Sequence, residues 1–211
     1  MVRFCPTEEI YVKAMKKTRL MKQAGRKMLL NTRRGVASVD IYGENYRGQD
    51  IIMLHGCGGS KITFSSADSG LAPFLSQATK SRVITVDWYG HGDSQHLGQI
   101  DEPLKDLFLE QLDDVVCAFI EPEGTFDLYA FSMGAYLACH YLETHNNRIK
   151  RLVLHSPWNA EVSAFSPHIQ SFLETPGRDH FRGPFPLNRN PNCDNEKQVL
   201  VSPRLVLFVG L

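Results

Sequence analysis

Residues 125 to 147 read TFDLYAFSMGAYLACHYLETHNN, and no other stretch restricts the fold as much. Asp127 to Ala130 suits a strand buried in a sheet, and Met133 to His145 suits a helix. Ser132 sits at the tip of the sharp turn between them. Ala135 and Ala138 are small enough to let that helix lie close to a sheet. A strand that passes so abruptly into a helix is half of a βαβ unit, which belongs to a parallel sheet with helices on its faces.

The rest of the chain repeats that alternation. Gly35 to Gly43 alternates like a strand, and Gly43 to Asp50 is turn-like. Ile51-Ile52-Met53-Leu54 is a short continuous apolar run that ends in the glycine-rich loop His55-Gly56-Cys57-Gly58-Gly59-Ser60. Leu71, Phe74, Leu75 and Ala78 mark a short helix with Pro73 in its first turn, where a missing N–H costs nothing. Val83 to Val86 is the next buried strand, followed by the loop Asp87 to Ser94. Leu104, Phe108, Leu112, Val115 and Phe119 form the apolar stripe of a helix of about four turns. Ile149 to Leu154 is a further strand. The expected fold class is α/β, a mostly parallel, doubly wound sheet flanked by helices. Six prolines between Pro157 and Pro191 break the pattern, leaving a cap-like segment at 157–202, and Leu205 to Val209 reads as one more buried strand.

Upstream, Ile10, Ala14, Met21, Ala24 and Met28 recur at helical spacing, which predicts a helix from Thr7 to Leu30. Residues 1 to 34 hold ten Lys or Arg against Glu8 and Glu9, a net +8 that the remainder balances. This divides the chain into a basic arm, 1–34, and a domain, 35–211. A solvated arm, a mitochondrial presequence and a membrane-surface contact all fit its composition, although Glu8, Glu9 and the scarcity of serine argue against a presequence. The five cysteines are widely spaced with no C-x-x-C, so neither a zinc site nor a disulfide framework is suggested. A reduced, cytoplasmic setting is the simplest reading. No apolar run reaches the roughly 20 residues of a membrane span.

A serine hydroxyl is a poor nucleophile at neutral pH; it needs a base for its proton and donors for the oxyanion. Ala130-Phe131-Ser132-Met133-Gly134 approximates G-x-S-x-G, in which small flanking residues let strand and helix backbones approach. Ala130 departs from the first glycine at the cost of one methyl group. Together with His55-Gly56-Cys57-Gly58-Gly59 and Asp87-Trp88-Tyr89-Gly90-His91-Gly92-Asp93-Ser94, each after its own strand, this resembles the α/β-hydrolase superfamily, in its serine-nucleophile, HG-loop, esterase- and lipase-like group. The likeness covers about residues 36 to 158 and the last strand.

The resemblance implies that Ser132 is the nucleophile and that the backbone N–H groups of Met133 and Cys57 are the oxyanion donors. It implies no cofactor and no metal. It casts His55 as a structural hydrogen-bonding residue, Asp87 and Asp93 as braces of the loop backbone, and the Cys57 thiol as a small loop side chain. His91 and Trp158 are candidate substrate-binding residues; Phe64, Tyr89, Tyr136 and Phe165 are further candidate pocket walls or ordinary core. The implied partner is a small apolar ester or related carbonyl compound, with no nucleic acid. Asp at the elbow would be expected for dehalogenase or epoxide hydrolase chemistry, and Ser132 disfavours both.

In this family the acid and the histidine follow the serine along the chain. The acid is expected a few residues past Gly210 and the histidine beyond it, so both are expected to be missing here. Glu161 as acid, and His155, His168 or His180 as base, are weaker stand-ins. Loss of the histidine from such a triad costs on the order of a million-fold in turnover. Whether the chain acts as an enzyme stays open: the competing expectation is a non-catalytic binding or regulatory fragment of the same fold.

Overall fold

The computed structural model describes residues 25–65 and 70–156, and the backbone of 207–210. Seven described strands form one sheet: β1 (Arg26–Asn31), β2 (Val36–Tyr42), β3 (Ile51–Leu54), β4 (Val83–Val86), β5 (Phe126–Phe131), β6 (Ile149–His155) and β7 (Leu207–Gly210). Helices α1 (Leu71–Thr79), α2 (Leu104–Phe119) and α3 (Met133–His145) cover it, with a 3₁₀ turn at Lys61–Phe64. The spatial order is β1-β2-β4-β3-β5-β6-β7. The four central strands, β4, β3, β5 and β6, are parallel. β1 and β2 extend one edge antiparallel.

Burial on both faces explains the continuous apolar runs. Every residue of β3 and β4 is buried. On one face Ile52, Leu54, Ile84 and Leu128 pack with Phe108 and Leu112 of α2 and Leu137 of α3. On the other, Met53 and Val83 pack with Ala72 of α1 and Phe64 of the 3₁₀ turn. Each large side chain so buried contributes about 1.5–3 kcal/mol of transfer free energy. The α2 stripe read from the sequence is the buried face of the 16-residue helix.

Two expectations are corrected. The helix expected to run to Leu30 gives way, over its last residues, to β1, which pairs with β2 from Arg26 opposite Ile41 to Asn31 opposite Val36. Met28 and Leu30 pack on the core while Leu29 between them is 60% exposed, a period of two rather than 3.6. Helix-favouring Lys, Met and Leu hid that period, and the ladder offered by β2 decided it. The remainder of the expected helix, residues 7–24, lies outside the described residues.

The second correction concerns charge. Arg33 and Arg34, counted with the basic arm, lie in the β1–β2 connection and meet the acidic side of α2. Arg33 pairs with Asp113 at 2.8 Å and Asp114 at 2.5 Å, and Arg34 with Glu102 at 3.1 Å and Glu110 at 3.2 Å. Part of the sequence asymmetry is thus neutralised within the fold.

The direction of the last strand is left open by its sequence. β7 runs antiparallel to β6, with Leu207 opposite Leu154 and Gly210 opposite Arg151. A strand added to an open edge finds N–H and C=O partners in either direction, and apolar composition does not choose between them. Gly210 therefore lies at the end of the sheet away from Ser132.

Candidate active site

β5 carries the chain to the carboxyl edge of the parallel strands, and Ser132 makes the turn into α3. Its backbone has φ 53° and ψ −115°, a region that side chains rarely adopt. The turn is held from both sides. The Ser132 N–H donates to the His155 carbonyl at 3.0 Å, and the Ser132 carbonyl accepts the Ala135 N–H at 2.9 Å. Ser132 makes no side-chain capping bond to α3. Gly134 is needed for close approach: a Cβ there would fall 2.7 Å from the Leu54 carbonyl oxygen and 2.8 Å from that of His55. Small residues around the serine thus have a steric cause.

The glycine-rich loop reaches the same point. A Cβ on Gly56 would lie 2.9 Å from the Ser132 Cβ and 3.2 Å from a ring carbon of Phe131. Gly56, the residue before Cys57, therefore packs against the serine. The Met133 N–H is the first of α3, where the helix has no carbonyl four residues back to engage it and the axial dipole is positive. The Cys57 side chain is open to solvent, yet enough protein surrounds it that desolvation raises its thiol pKa, which opposes a nucleophilic thiolate.

His55 is fully buried, and both ring nitrogens are occupied. Nδ1–H donates to the Gly56 carbonyl at 2.7 Å, and Nε2 accepts the Trp88 N–H at 3.2 Å. The Trp88 indole N–H returns to the His55 carbonyl at 3.1 Å. Burial, with His91 adjacent, pulls the His55 pKa down to about 4, so the ring is neutral and structural. This is the role anticipated for it.

The loop after β4 is built around Asp87, which is wholly buried. Its carboxylate accepts the Asp93 N–H at 2.9 Å, the Lys61 N–H at 2.6 Å and the Lys61 ammonium at 2.5 Å. A Cβ on Gly92, at φ +51°, would collide with that carboxylate, so glycine is required there. The Ser94 hydroxyl donates to the Asp87 carbonyl at 2.7 Å and accepts the Ser38 N–H at 2.8 Å, closing the turn onto β2. Asp87 braces the loop, as expected. Asp93 does so through its N–H and also through its carboxylate, which takes the Lys61 ammonium at 2.8 Å.

Two contributors escaped the sequence reading. Lys61 is 2% exposed and joins the two loops. Burial alone pulls its pKa down, but hydrogen bonds to Asp87 and Asp93 more than offset this and leave it above the ordinary lysine value. A single lysine after a glycine-rich loop carries no signal of this. Gln111 is fully buried; its amide donates to the Asp87 carbonyl at 2.9 Å and its oxygen accepts the Tyr89 N–H at 2.9 Å. Its signal was present: Gln111 interrupts the apolar stripe of α2 between Phe108 and Val115.

His91, a candidate substrate-binding residue, is buried. The residue is 5% exposed, with its ring against His55 and Phe108 and Nδ1–H donating to the Tyr89 carbonyl at 3.1 Å. Packing by α2 draws it behind the loop. Tyr89 is likewise core, and its hydroxyl hydrogen-bonds to Thr32. Phe64 is buried with its ring edge-on to Tyr129, whereas Tyr136 is only partly buried. Trp158, Glu161, Phe165, His168 and His180 lie outside the described residues. His155 neighbours Phe131 in the sheet register, but its ring packs on Phe131 and its Nδ1 hydrogen-bonds to the Tyr129 hydroxyl, two residues back along β5. That bond holds the ring along the sheet. Among the described residues, no group of three or more His, Cys, Asp or Glu could hold a metal ion, and no helix is long and apolar enough to cross a membrane.

This architecture has known counterparts. A serine hydrolase from the polyaromatic-hydrocarbon-degrading bacterium Cycloclasticus zankles superposes with TM-score 0.52 at 21% identity, covering 63% of this chain and 45% of that one. A thioesterase domain from the curacin biosynthetic pathway superposes with TM-score 0.57 at 23% identity, covering 72% and 53%. An epoxide hydrolase from Vigna radiata superposes with TM-score 0.52 at 15% identity, covering 62% and 39%. The chain thus spans about half the length, or less, of these structures, and at such identities the likeness concerns the fold. The model of the alpha/beta hydrolase fold matches residues 51–186, which takes in the glycine-rich loop, the Asp87 loop and the Ser132 turn. With three loops at one edge of a parallel sheet and a family match over most of its length, the chain belongs to the alpha/beta hydrolase fold family.

Proposed function

We propose that this chain carries the nucleophile and the oxyanion-binding loops of a serine hydrolase that acts on a small apolar ester or related carbonyl compound. The observation that carries the reading is the Ser132 backbone at φ 53°, ψ −115°, strained at the turn from β5 into α3 with no side-chain capping bond to justify it. Gly56 lying against the Ser132 Cβ supports it. In the proposed step the Ser132 oxygen attacks the carbonyl carbon, the C=O π pair moves to oxygen, and the Met133 and Cys57 N–H groups donate to the oxyanion. The serine proton passes to a base.

Within the described residues, His55, His91 and His155 are each engaged elsewhere. On this reading none of these three histidines is the base of the triad. Where oxyanion donors and binding act without a base, they sustain roughly a thousand-fold or more over water, far below a complete triad.

A fluorophosphonate serine probe tests the reading. Labelling is expected to be slow and to vanish in Ser132→Ala. Labelling that survives Ser132→Ala removes the nucleophile assignment. Rapid Ser132-dependent labelling shows a base supplied locally and overturns the claim of a missing triad. We further propose a basic N-terminal arm ahead of the hydrolase domain, with β1 moving the start of that domain to Arg26, and a cytoplasmic location; imaging the protein with and without residues 1–24 tests both.

A further inference from the structure

The glycine-rich loop contains little that would hold it in place. Gly56, Gly58 and Gly59 give it wide conformational freedom, and its one internal backbone bond runs from the Gly59 N–H to the Gly56 carbonyl at 3.1 Å. Yet Gly56 must stay against Ser132 if the neighbouring N–H is to serve as a donor. At one end the loop is fixed by β3 and the His55 bonds. At the other it runs into Lys61.

We propose that Lys61 is a positioning residue that pins loop 56–60 beside Ser132, through the carboxylates of Asp87 and Asp93. The Lys61 side chain is 3% exposed and that of Asp87 is fully buried, so their contact is not a solvent-screened surface pair. Asp87 binds Lys61 twice, by backbone N–H and by ammonium, which restricts both the position and the direction of the chain as it leaves the loop. Asp93 adds a third contact from the far side of the Asp87 turn, and Lys27 of β1 reaches the same Asp93 carboxylate at 3.0 Å. The glycine-rich loop, the Asp87 loop and β1 are thereby tied through two ammonium groups and two carboxylates.

Nothing in the serine chemistry requires a cation here: Lys61 contacts neither Ser132 nor the donor N–H groups. Its effect on them is through the backbone it anchors. The catalytic meaning of this role rests on the serine-hydrolase reading; the mechanical role does not.

The test uses the full chain as wild type, Lys61→Met, Lys61→Arg and Asp93→Asn. Amide hydrogen exchange is followed by mass spectrometry, and Ser132-dependent fluorophosphonate labelling is measured in parallel. In Lys61→Met, residues 56–61 are expected to exchange about tenfold faster while β3 and β5 change by less than about twofold, because only the local opening is cheaper. Lys61→Arg keeps the charge and is expected to hold the loop within about threefold of wild type. Asp93→Asn removes one half-exposed partner and is expected to loosen the loop by about threefold. Labelling in Lys61→Met is expected to fall about tenfold.

Loop exchange that stays at the wild-type rate, or that rises only in step with β3 and β5, overturns the proposal. So does Ser132-dependent labelling that is unchanged once the loop has loosened. Should Lys61→Met not fold, Asp93→Asn decides, and the absence of any loop-specific rise there is the overturning result. If wild type shows no Ser132-dependent labelling while the loop responds as expected, the serine-hydrolase reading fails and the pinning role stands.

Discussion

Replacing Ser132 by glycine tests whether the turn stores strain. A non-glycine residue at φ 53°, ψ −115° is held in a sparsely populated region at a cost of about 1–3 kcal/mol. Glycine adopts that region freely but loses more chain entropy on folding, an opposing cost of about 0.5–1 kcal/mol. Ser132→Ala is the matched control. It keeps the strained dihedrals, and because the serine makes no capping bond, alanine forfeits none. Ser132→Ala should therefore lie within about 0.5 kcal/mol of wild type. Ser132→Gly should be more stable than Ser132→Ala by about 1 kcal/mol, which for a chain of this size raises the melting temperature by about 2–4 °C. Urea unfolding followed by circular dichroism, with matching m-values, measures the difference. A glycine variant no more stable than the alanine variant would refute the strain, and with it the main structural support for Ser132 as a mounted nucleophile.

The other expectations are local. Gly134→Ala places a methyl group 2.7 Å from the Leu54 carbonyl oxygen, so α3 must shift, at about 1–3 kcal/mol read by thermal unfolding. His55 has a folded pKa of about 4 against an ordinary 6.5, so between those values the unfolded chain binds more protons. Its contribution is fully present above pH 6.5 and is lost as pH falls to 4, amounting to at most about 3 kcal/mol; His55→Asn should flatten the stability profile in that window. Gln111→Ala leaves the Tyr89 N–H without its acceptor and the Asp87 carbonyl with the Ser94 hydroxyl as its remaining donor, which should cost about 1–3 kcal/mol in urea unfolding. A double-mutant cycle on Arg33 and Asp114 should give a coupling below about 1 kcal/mol that shrinks with added salt, since half of the Arg33 side chain is exposed.

The site divides into parts by the kind of signal each left. Glycines at 56, 92 and 134 announced themselves because close approach permits nothing larger, and each has its steric cause in the fold. The role of His55 came through the family resemblance, and its two occupied ring nitrogens agree with it. Gln111 was legible in principle, as a polar residue on an apolar stripe. Lys61 was not, because its burial depends on two carboxylates that are 26 and 32 residues away. The burial of His91 was not legible either, because nothing local shows its contact with Phe108.

At the level of the whole chain, the sequence by itself determined the α/β class and the loops at the carboxyl edge. Apolar runs of strand length, amphipathic stripes of helix length and glycine punctuation are properties of neighbouring residues, and neighbouring residues are what a sequence displays. Tertiary structure alone decided the rest. It turned Arg26–Asn31 into a strand because β2 had an open edge, and it ran β7 antiparallel because an edge accepts either direction. It drew Arg33 and Arg34 onto the acid of α2 and buried Lys61 between Asp87 and Asp93. Each of these outcomes is a contact between segments far apart in the chain, and its free energy depends on what the fold brings alongside.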